Sequence, residues 1–255
     1  MNTMKQVIDY WNTHGLCSAE SSTSRANPDW AHWANVIEKR RLLNELKHRG
    51  MKGSVLDIGA GLGRFFPVWE KLFSEIVMIE PANSLYDQLC LFNNDESTQC
   101  FCSTFESFVW SHGFDLLFAS GVLYFLDSPS TVTFMRECGR HSLPNSLLVI
   151  RDFVSPESSI ALDSTYVPDS KCYYRNIHEW TEMSAMAGWK LQSIYPSKPH
   201  YRWLHNWVNT LRLQKGLRAP GIPEIMSTLS RRHLLHGTIN TVFLVFTKGQ
   251  RPETF

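Results

Sequence analysis

The sequence has no uninterrupted apolar run close to the ~18 residues that a membrane-spanning helix needs, which excludes a helical membrane protein. Met1–Tyr10 carries Lys5 and Asp9 and no apolar stretch, so no secretory leader is expected and a cytoplasmic location is. Six cysteines in 255 residues, with no C-x-x-C pair, are too sparse for a disulfide scaffold, and reduced thiols are expected. The ten histidines include no H-E-x-x-H. His233 and His236, three apart, lack a third ligand, so no metal centre is expected. There is no G-x-S-x-G elbow and no G-x-x-x-x-G-K-[ST] loop, which removes the serine α/β-hydrolases and the P-loop NTPases. There is no internal repeat or low-complexity stretch. Hydrophobic residues at 43% and charged residues at 19% exclude the disordered and fibrous classes.

What is present is unevenly spread. Residues 1–185 hold 15 Lys+Arg against 22 Asp+Glu, a balance of −7. Residues 186–255 hold 10 against 2, a balance of +8, and the formal +1 of the chain conceals both. Short apolar runs, Val55–Ile58, Ile76–Ile79, Gln99–Cys102, Leu116–Ala119, Leu147–Ile150, Leu191–Tyr195 and Thr241–Phe246, alternate with helical stretches near Gly63–Phe73, Ser84–Phe92, Ser130–His141 and Ile177–Ala187. That alternation predicts an α/β domain with a seven-stranded, mostly parallel, Rossmann-like sheet and helices on both faces. A helical extension over 1–50 would precede it, with helices near Met4–Trp11 and Trp30–Arg49. About 45 residues, 196–240, separate the last two runs. They are too long for a plain connection and are expected to be a partly helical insertion in a domain over 51–255.

The sharpest feature is Val55-Leu56-Asp57-Ile58-Gly59-Ala60-Gly61-Leu62-Gly63-Arg64, a buried strand running into a glycine turn. Glycines accept positive φ and let a ligand approach the main chain. The spacing is G-x-G-x-G, not the G-x-G-x-x-G of dinucleotide binders. Glu80 ends the second strand, 21 residues after Gly59, where a carboxylate can accept hydrogen bonds from two vicinal ribose hydroxyls. These residues resemble the class I S-adenosylmethionine-dependent methyltransferases, whose first motif is D/E-x-G-x-G-x-G with an acid ending strand two. The resemblance implies S-adenosyl-L-methionine as cofactor. Asp57 would orient its amino group, Gly59, Ala60, Gly61 and Gly63 would line its methionine part, and Glu80 would hold the ribose. Thr104, Phe105 or Glu106 would meet the adenine. Ser120, Gly121 and Val122, after strand four, would flank the sulfonium.

A narrower likeness is to the α-N-terminal protein methyltransferases. It rests on the G-A-G-x-G-R turn, on Phe101-Cys102…Phe108 and on Val149-Ile150-Arg151-Asp152. It implies that Arg64 pairs with the cofactor carboxylate and that Asp152 engages an amine. That family also has a His near Tyr124 or Phe125, and this chain has none.

Methyl transfer from a sulfonium is an in-line displacement, so the protein mainly positions and desolvates the nucleophile. The catalytic candidates are Asp152, Tyr124 and His178. Asp152 equally suits a partner of Arg151, and Tyr124 a core aromatic. Asp163, Tyr166, Asp169, Tyr173 and Tyr174 would suit a charged or amine-bearing acceptor, and equally a solvated loop. Tyr10, Trp11, Trp30 and Trp33 are candidates for a lid, though the two tryptophans equally suit packing their helix on the body. The expected function is methylation of an N or O atom of a small molecule or short peptide. The alternatives are an RNA methyltransferase using the basic residues of 190–248, or a non-catalytic S-adenosylmethionine-binding module. That basic segment would dock on the acidic body, grip an anionic acceptor or track nucleic acid. Against nucleic acid, the loop after strand four reads Ala119-Ser120-Gly121-Val122, not D/N-P-P-Y/F.

Overall fold

A computed structural model describes residues 3–15, 28–92, 96–164, 167–197 and 239–248. Nine strands and six α-helices follow in the order α1 (Thr3–His14), α2 (Pro28–His48), β1 (Ser54–Ile58), α3 (Phe66–Trp69), β2 (Glu75–Ile79), α4 (Asn83–Leu89), β3 (Thr98–Phe101), β4 (Phe114–Ser120), α5 (Ser128–Arg140), β5 (Ser142–Val154), β6 (Ile160–Asp163), β7 (Lys171–Tyr174), α6 (Ile177–Met186), β8 (Trp189–Pro196) and β9 (Asn240–Lys248). Seven of the strands form one sheet in the order β3-β2-β1-β4-β5-β9-β8. The first five are parallel, and β9 runs antiparallel to both β5 and β8. The seven apolar runs of the sequence are the cores of these seven strands.

Both sheet faces are covered, as a parallel sheet requires. Along β1, Leu56 and Ile58 face one core with Leu117, Ala119, Leu148 and Ile150, closed by Val132 and Met135 of α5 and by Trp180 and Met183 of α6. Val55 faces the other with Phe118, Val149 and Phe243, closed by Leu42 and Leu46 of α2 and by Val68 and Trp69 of α3. The helix expected near Trp30–Arg49 is α2, and its buried face is mixed. Ile37, Leu42 and Leu46 are fully buried, and the polar Asn35, Glu38 and Arg41 are buried beside them. The side chains of Trp30 and Trp33 lie outside the described residues.

Three expectations change. The helix expected over Gly63–Phe73 is one turn, because Gly63 is left-handed at φ +66° and holds the preceding segment in turns. Strand five begins at Ser142, well before Leu147, with a register irregularity against β4 and a left-handed Asn145. The connection after strand five is a hairpin: β6 pairs antiparallel with β7, and an isolated bridge from Val154 to Arg175 fixes it to the end of β5. Its Ile160–Asp163 strand is exposed throughout, Ile160 and Leu162 included, so no buried face announces it.

The topology gathers the segments outside the sheet core at the carboxyl ends of the parallel strands. β8 ends and β9 begins beside the end of β5, and Ser197 N–H donates to Thr241 O at 2.9 Å. The segment 198–238, with the expected insertion and most of its basic residues, therefore leaves and rejoins the sheet at that end but lies outside the described residues. α1 arrives there too. Ser84 Oγ at the start of α4 donates to Trp11 O at 2.8 Å, and Val7 packs with Phe125, Val167 and Cys172. α1 thus bridges the loops after β2 and β4.

Candidate functional site

The glycine turn crosses from β1 over the end of β2: Gly59 and Ala60 N–H both donate to Ile79 O, at 2.9 and 3.0 Å. Its three glycines, all at positive φ, serve three different ends. A Cβ on Gly59 would come within 2.7 Å of Val122 Cγ2, so this glycine admits the loop after β4. A Cβ on Gly63 would strike the Phe92 ring at 2.6 Å, so this one admits a half-buried aromatic. A Cβ on Gly61 would meet nothing within 4 Å. Only at Gly61 does the turn open to space, and that is the side from which a ligand can approach the backbone.

Two carboxyls underlie the turn. Glu80, 5% exposed, accepts from Gly61 N–H through Oε2 and from Ala82 N–H through Oε1, each at 2.9 Å. Burial raises its pKa to about 7 against the pull of those two bonds. Asp57 is buried on the α3 side and accepts from Trp69 Nε1 at 2.8 Å. Burial, opposed by that bond and assisted by the Glu80 charge, raises it to about 7 as well. Asp57 therefore supports the turn from inside the core.

The loop after β4 is anchored from two sides. Gly121, at φ +71°, donates its N–H to Arg151 O at 3.0 Å. From below, fully buried Arg175 donates Nη1 to Leu123 O at 3.2 Å and Nη2 to Leu126 O. Ser120 and Val122 are half-buried on this loop, and Val122 touches Gly59. Tyr124 stands half-buried on it, 4.1 Å from the Phe125 ring and 5.3 Å from Phe153, in the cluster that α1 covers.

At the end of β5, Asp152 is 1% exposed. Its Oδ1 accepts from Phe153 N–H at 2.8 Å, and its Oδ2 has no partner. Burial lifts its pKa to about 7, and Phe153 N–H, Arg175 and Arg151 hold it from rising further. An unsatisfied buried carboxylate oxygen is costly, and such atoms mark sites that await a partner.

Three expected residues stand elsewhere. His178 is 79% exposed and faces Glu182 at 3.3 Å along α6, outside this cluster. Phe105 is a core residue, packed on Phe134 and His141, which leaves half-buried Thr104 and exposed Glu106 of the three candidates after β3. Arg64 does not point into open crevice: Nε donates to Asn35 Oδ1 at 2.8 Å and Nη2 to Glu38. Asp163 is exposed and pairs loosely with Lys171, while Tyr173 and Tyr174 are half-buried. Arg175 and Glu38 escaped the sequence reading. A charge at helical spacing inside the α2 stripe was the available signal for Glu38. Among the described residues no cluster of His, Cys, Asp or Glu could hold a metal ion.

Residues 3–199 match the family model described as AdoMet-dependent proline di-methyltransferase. The chain belongs to that family. It is an S-adenosylmethionine-dependent methyltransferase. No curated protein matches it. The fold is shared with a SAM-dependent methyltransferase from Leishmania major (14% identity, 96% of this chain and 82% of that one, TM-score 0.66). It is shared with Burkholderia thailandensis 1,6-didemethyltoxoflavin-N1-methyltransferase, solved with S-adenosylhomocysteine (13%, 96% and 90%, TM-score 0.63). A third is the DhpI–SAH complex (11%, 97% and 99%, TM-score 0.60). At these identities the likeness is one of fold. The cofactor fits the site on three counts: Gly61 borders open space at positive φ, a carboxylate ends β2, and the loop after β4 closes on Gly59.

Proposed function

We propose that the chain transfers methyl groups to an amine nitrogen, that of a proline at the start of a peptide. The observation that carries this reading is Asp152: a buried carboxylate at the end of β5 with one oxygen lacking any partner. The family description supplies the acceptor class.

S-adenosylmethionine supplies an electrophilic methyl group on a sulfonium. Gly59, Ala60, Gly61 and Gly63 would carry the turn beneath its methionine part, with Asp57 bracing that turn. Glu80 would offer its carboxylate to the ribose, Thr104 would border the adenine, and Ser120, Gly121 and Val122 would flank the sulfur. A nitrogen attacks only as the free base, yet α-amino groups titrate near ~8 and are mostly charged at neutral pH. Asp152 Oδ2 would attract the ammonium and take its proton. A base with a pKa near 7 is matched to that task. In the first transfer the nitrogen would form its bond to the methyl as the sulfur–methyl bond breaks to leave a neutral thioether, and Asp152, having passed the first proton to water, would take the remaining one. In the second the tertiary amine attacks directly and ends as a quaternary ammonium. Tyr124 stands near where the likeness would have a histidine, and its hydroxyl would steer the amine toward Asp152. α1, across the loops after β2 and β4, would act as a lid that excludes water.

Mass spectrometry of a peptide beginning with proline, incubated with the cofactor and the full chain, is the direct test. One and two added methyl groups are expected, and none on the same peptide acetylated at its first nitrogen. No methyl incorporation into any proline-initiated peptide would refute the reading. A small-molecule nitrogen is the second reading, supported by the N1-methyltransferase among the fold relatives. It would be favoured by turnover of a heterocyclic amine where peptides fail. Methylated product of either kind excludes a non-catalytic binding module.

A further inference from the structure

Glu38 interrupts the apolar stripe of α2. It lies four residues before Leu42 and is wholly removed from solvent. Its Oε2 accepts from Arg64 Nη2. Its Oε1 accepts from Arg151 Nε at 3.1 Å, Arg151 Nη2 at 2.9 Å and Ser197 Oγ at 2.7 Å. These partners come from separate places. Arg64 directly follows the last glycine of the turn. Arg151 directly precedes Asp152. Ser197 follows the last residue of β8. One carboxylate of a helix outside the sheet thus holds both the glycine turn and the end of β5.

A tether would not need a charge. Burying a carboxylate is costly, and well-packed apolar residues would fix α2 to the sheet at least as firmly. What charge adds is direction, because a guanidinium fork donates in a fixed plane and fixed directions. Arg64 is further set by Asn35, and the Arg151 main chain receives Gly121 N–H from the loop after β4. Glu38 is therefore joined to the glycine turn, to the end of β5 and, through the Arg151 main chain, to the loop after β4.

We propose that Glu38 is a positioning residue for methyl transfer, holding Arg64 of the cofactor turn and Arg151 beside Asp152 in one fixed register. Its acceptor half rests on the reading of Asp152 given above, and its cofactor half does not.

The test uses the full chain with Glu38→Gln, Glu38→Asp and a control, Arg41→Gln. Arg41 holds the same helix to β8 through Pro196 O at 2.6 Å. Three quantities are read: Tm, the calorimetric Kd for S-adenosylhomocysteine without acceptor, and kcat and KM with a proline-initiated peptide. Glu38→Gln should weaken the nucleoside about tenfold, the size of one lost hydrogen bond to a charged group, and lower kcat further. Glu38→Asp should recover part of both. Arg41→Gln should lower Tm while Kd and kcat hold. A Glu38→Gln protein with lowered Tm but wild-type Kd and kcat would overturn the proposal. If Glu38→Gln does not fold, Asn35→Ala decides, since its Oδ1 contacts Arg64 and not Arg151. A weaker Kd with kcat unchanged at saturating cofactor is expected, and an unchanged Kd overturns the proposal. If no variant and no wild-type protein turns over any amine, the reading of Asp152 has failed, and the Kd measurements still judge Glu38.

Discussion

Asp152 and Glu80 are buried carboxyls of similar pKa set to different work by their hydrogen bonds. Glu80 spends both oxygens on backbone N–H groups, so it is built into the turn. Asp152 keeps one oxygen unspent. Replacing Asp152 by Asn keeps the shape and removes the proposed base, and kcat should fall by ~10²–10⁴. The wild-type rate should rise with pH through about 7, where Asp152 ionises, and the variant's rate should lose that limb. A pH–rate profile of both proteins checks this. For Glu80→Gln the readout is calorimetry with the cofactor. Affinity in the wild type should strengthen as pH rises through about 7, and the variant should bind more weakly with no such dependence. That Asp57, Gly59, Gly61, Gly63, Glu80 and Asp152 stand on a strand, a tight turn and strand ends was legible in the sequence, because those are local events. Arg175 and Glu38 were not, since each acts on chain far away in sequence.

At the scale of elements, the glycine turn separates two kinds of requirement that look alike in sequence. Gly61→Ala meets no atom, so it should cost only the ~1–2 kcal/mol of a left-handed alanine and chiefly weaken the cofactor. Gly63→Ala pays the same backbone strain and also drives a methyl into Phe92 and Leu89, so it should lower stability by a further ~1–3 kcal/mol. Denaturant unfolding beside cofactor titration distinguishes them: the Gly63 variant should lose more stability and the Gly61 variant proportionally more affinity. The strands were readable because a sheet covered on both faces makes each strand a short apolar run. The β6–β7 hairpin was not, because it is exposed and stands on its bridge from Val154 to Arg175 rather than on an apolar pattern. α3 is shorter than expected for a local reason that apolar spacing does not register, the left-handed Gly63 just before it.

Over the whole molecule, three buried carboxyls, Asp57, Glu80 and Asp152, titrate near 7 in the folded state. Each binds its proton more tightly folded than unfolded. The stability they contribute is present in full below their unfolded values near ~4 and is lost as pH rises through about 7. The Tm of the cofactor-free protein should therefore fall by several degrees between pH 5 and about 8. Asp57→Asn, which can still accept from Trp69, should flatten part of that slope, and scanning calorimetry across this range reads it. The sequence alone determined the sheet, the turn and the acid that ends strand two, because periodicity, glycine spacing and strand ends are written in neighbouring residues. Only the tertiary structure decided that Arg64 turns to Glu38, that His178 faces solvent, and that α1, the hairpin and the ends of the basic segment converge on one crevice. Those outcomes depend on which distant side chains meet and on the cost of leaving a buried charge unpaired, and neither is encoded in the order of adjacent residues.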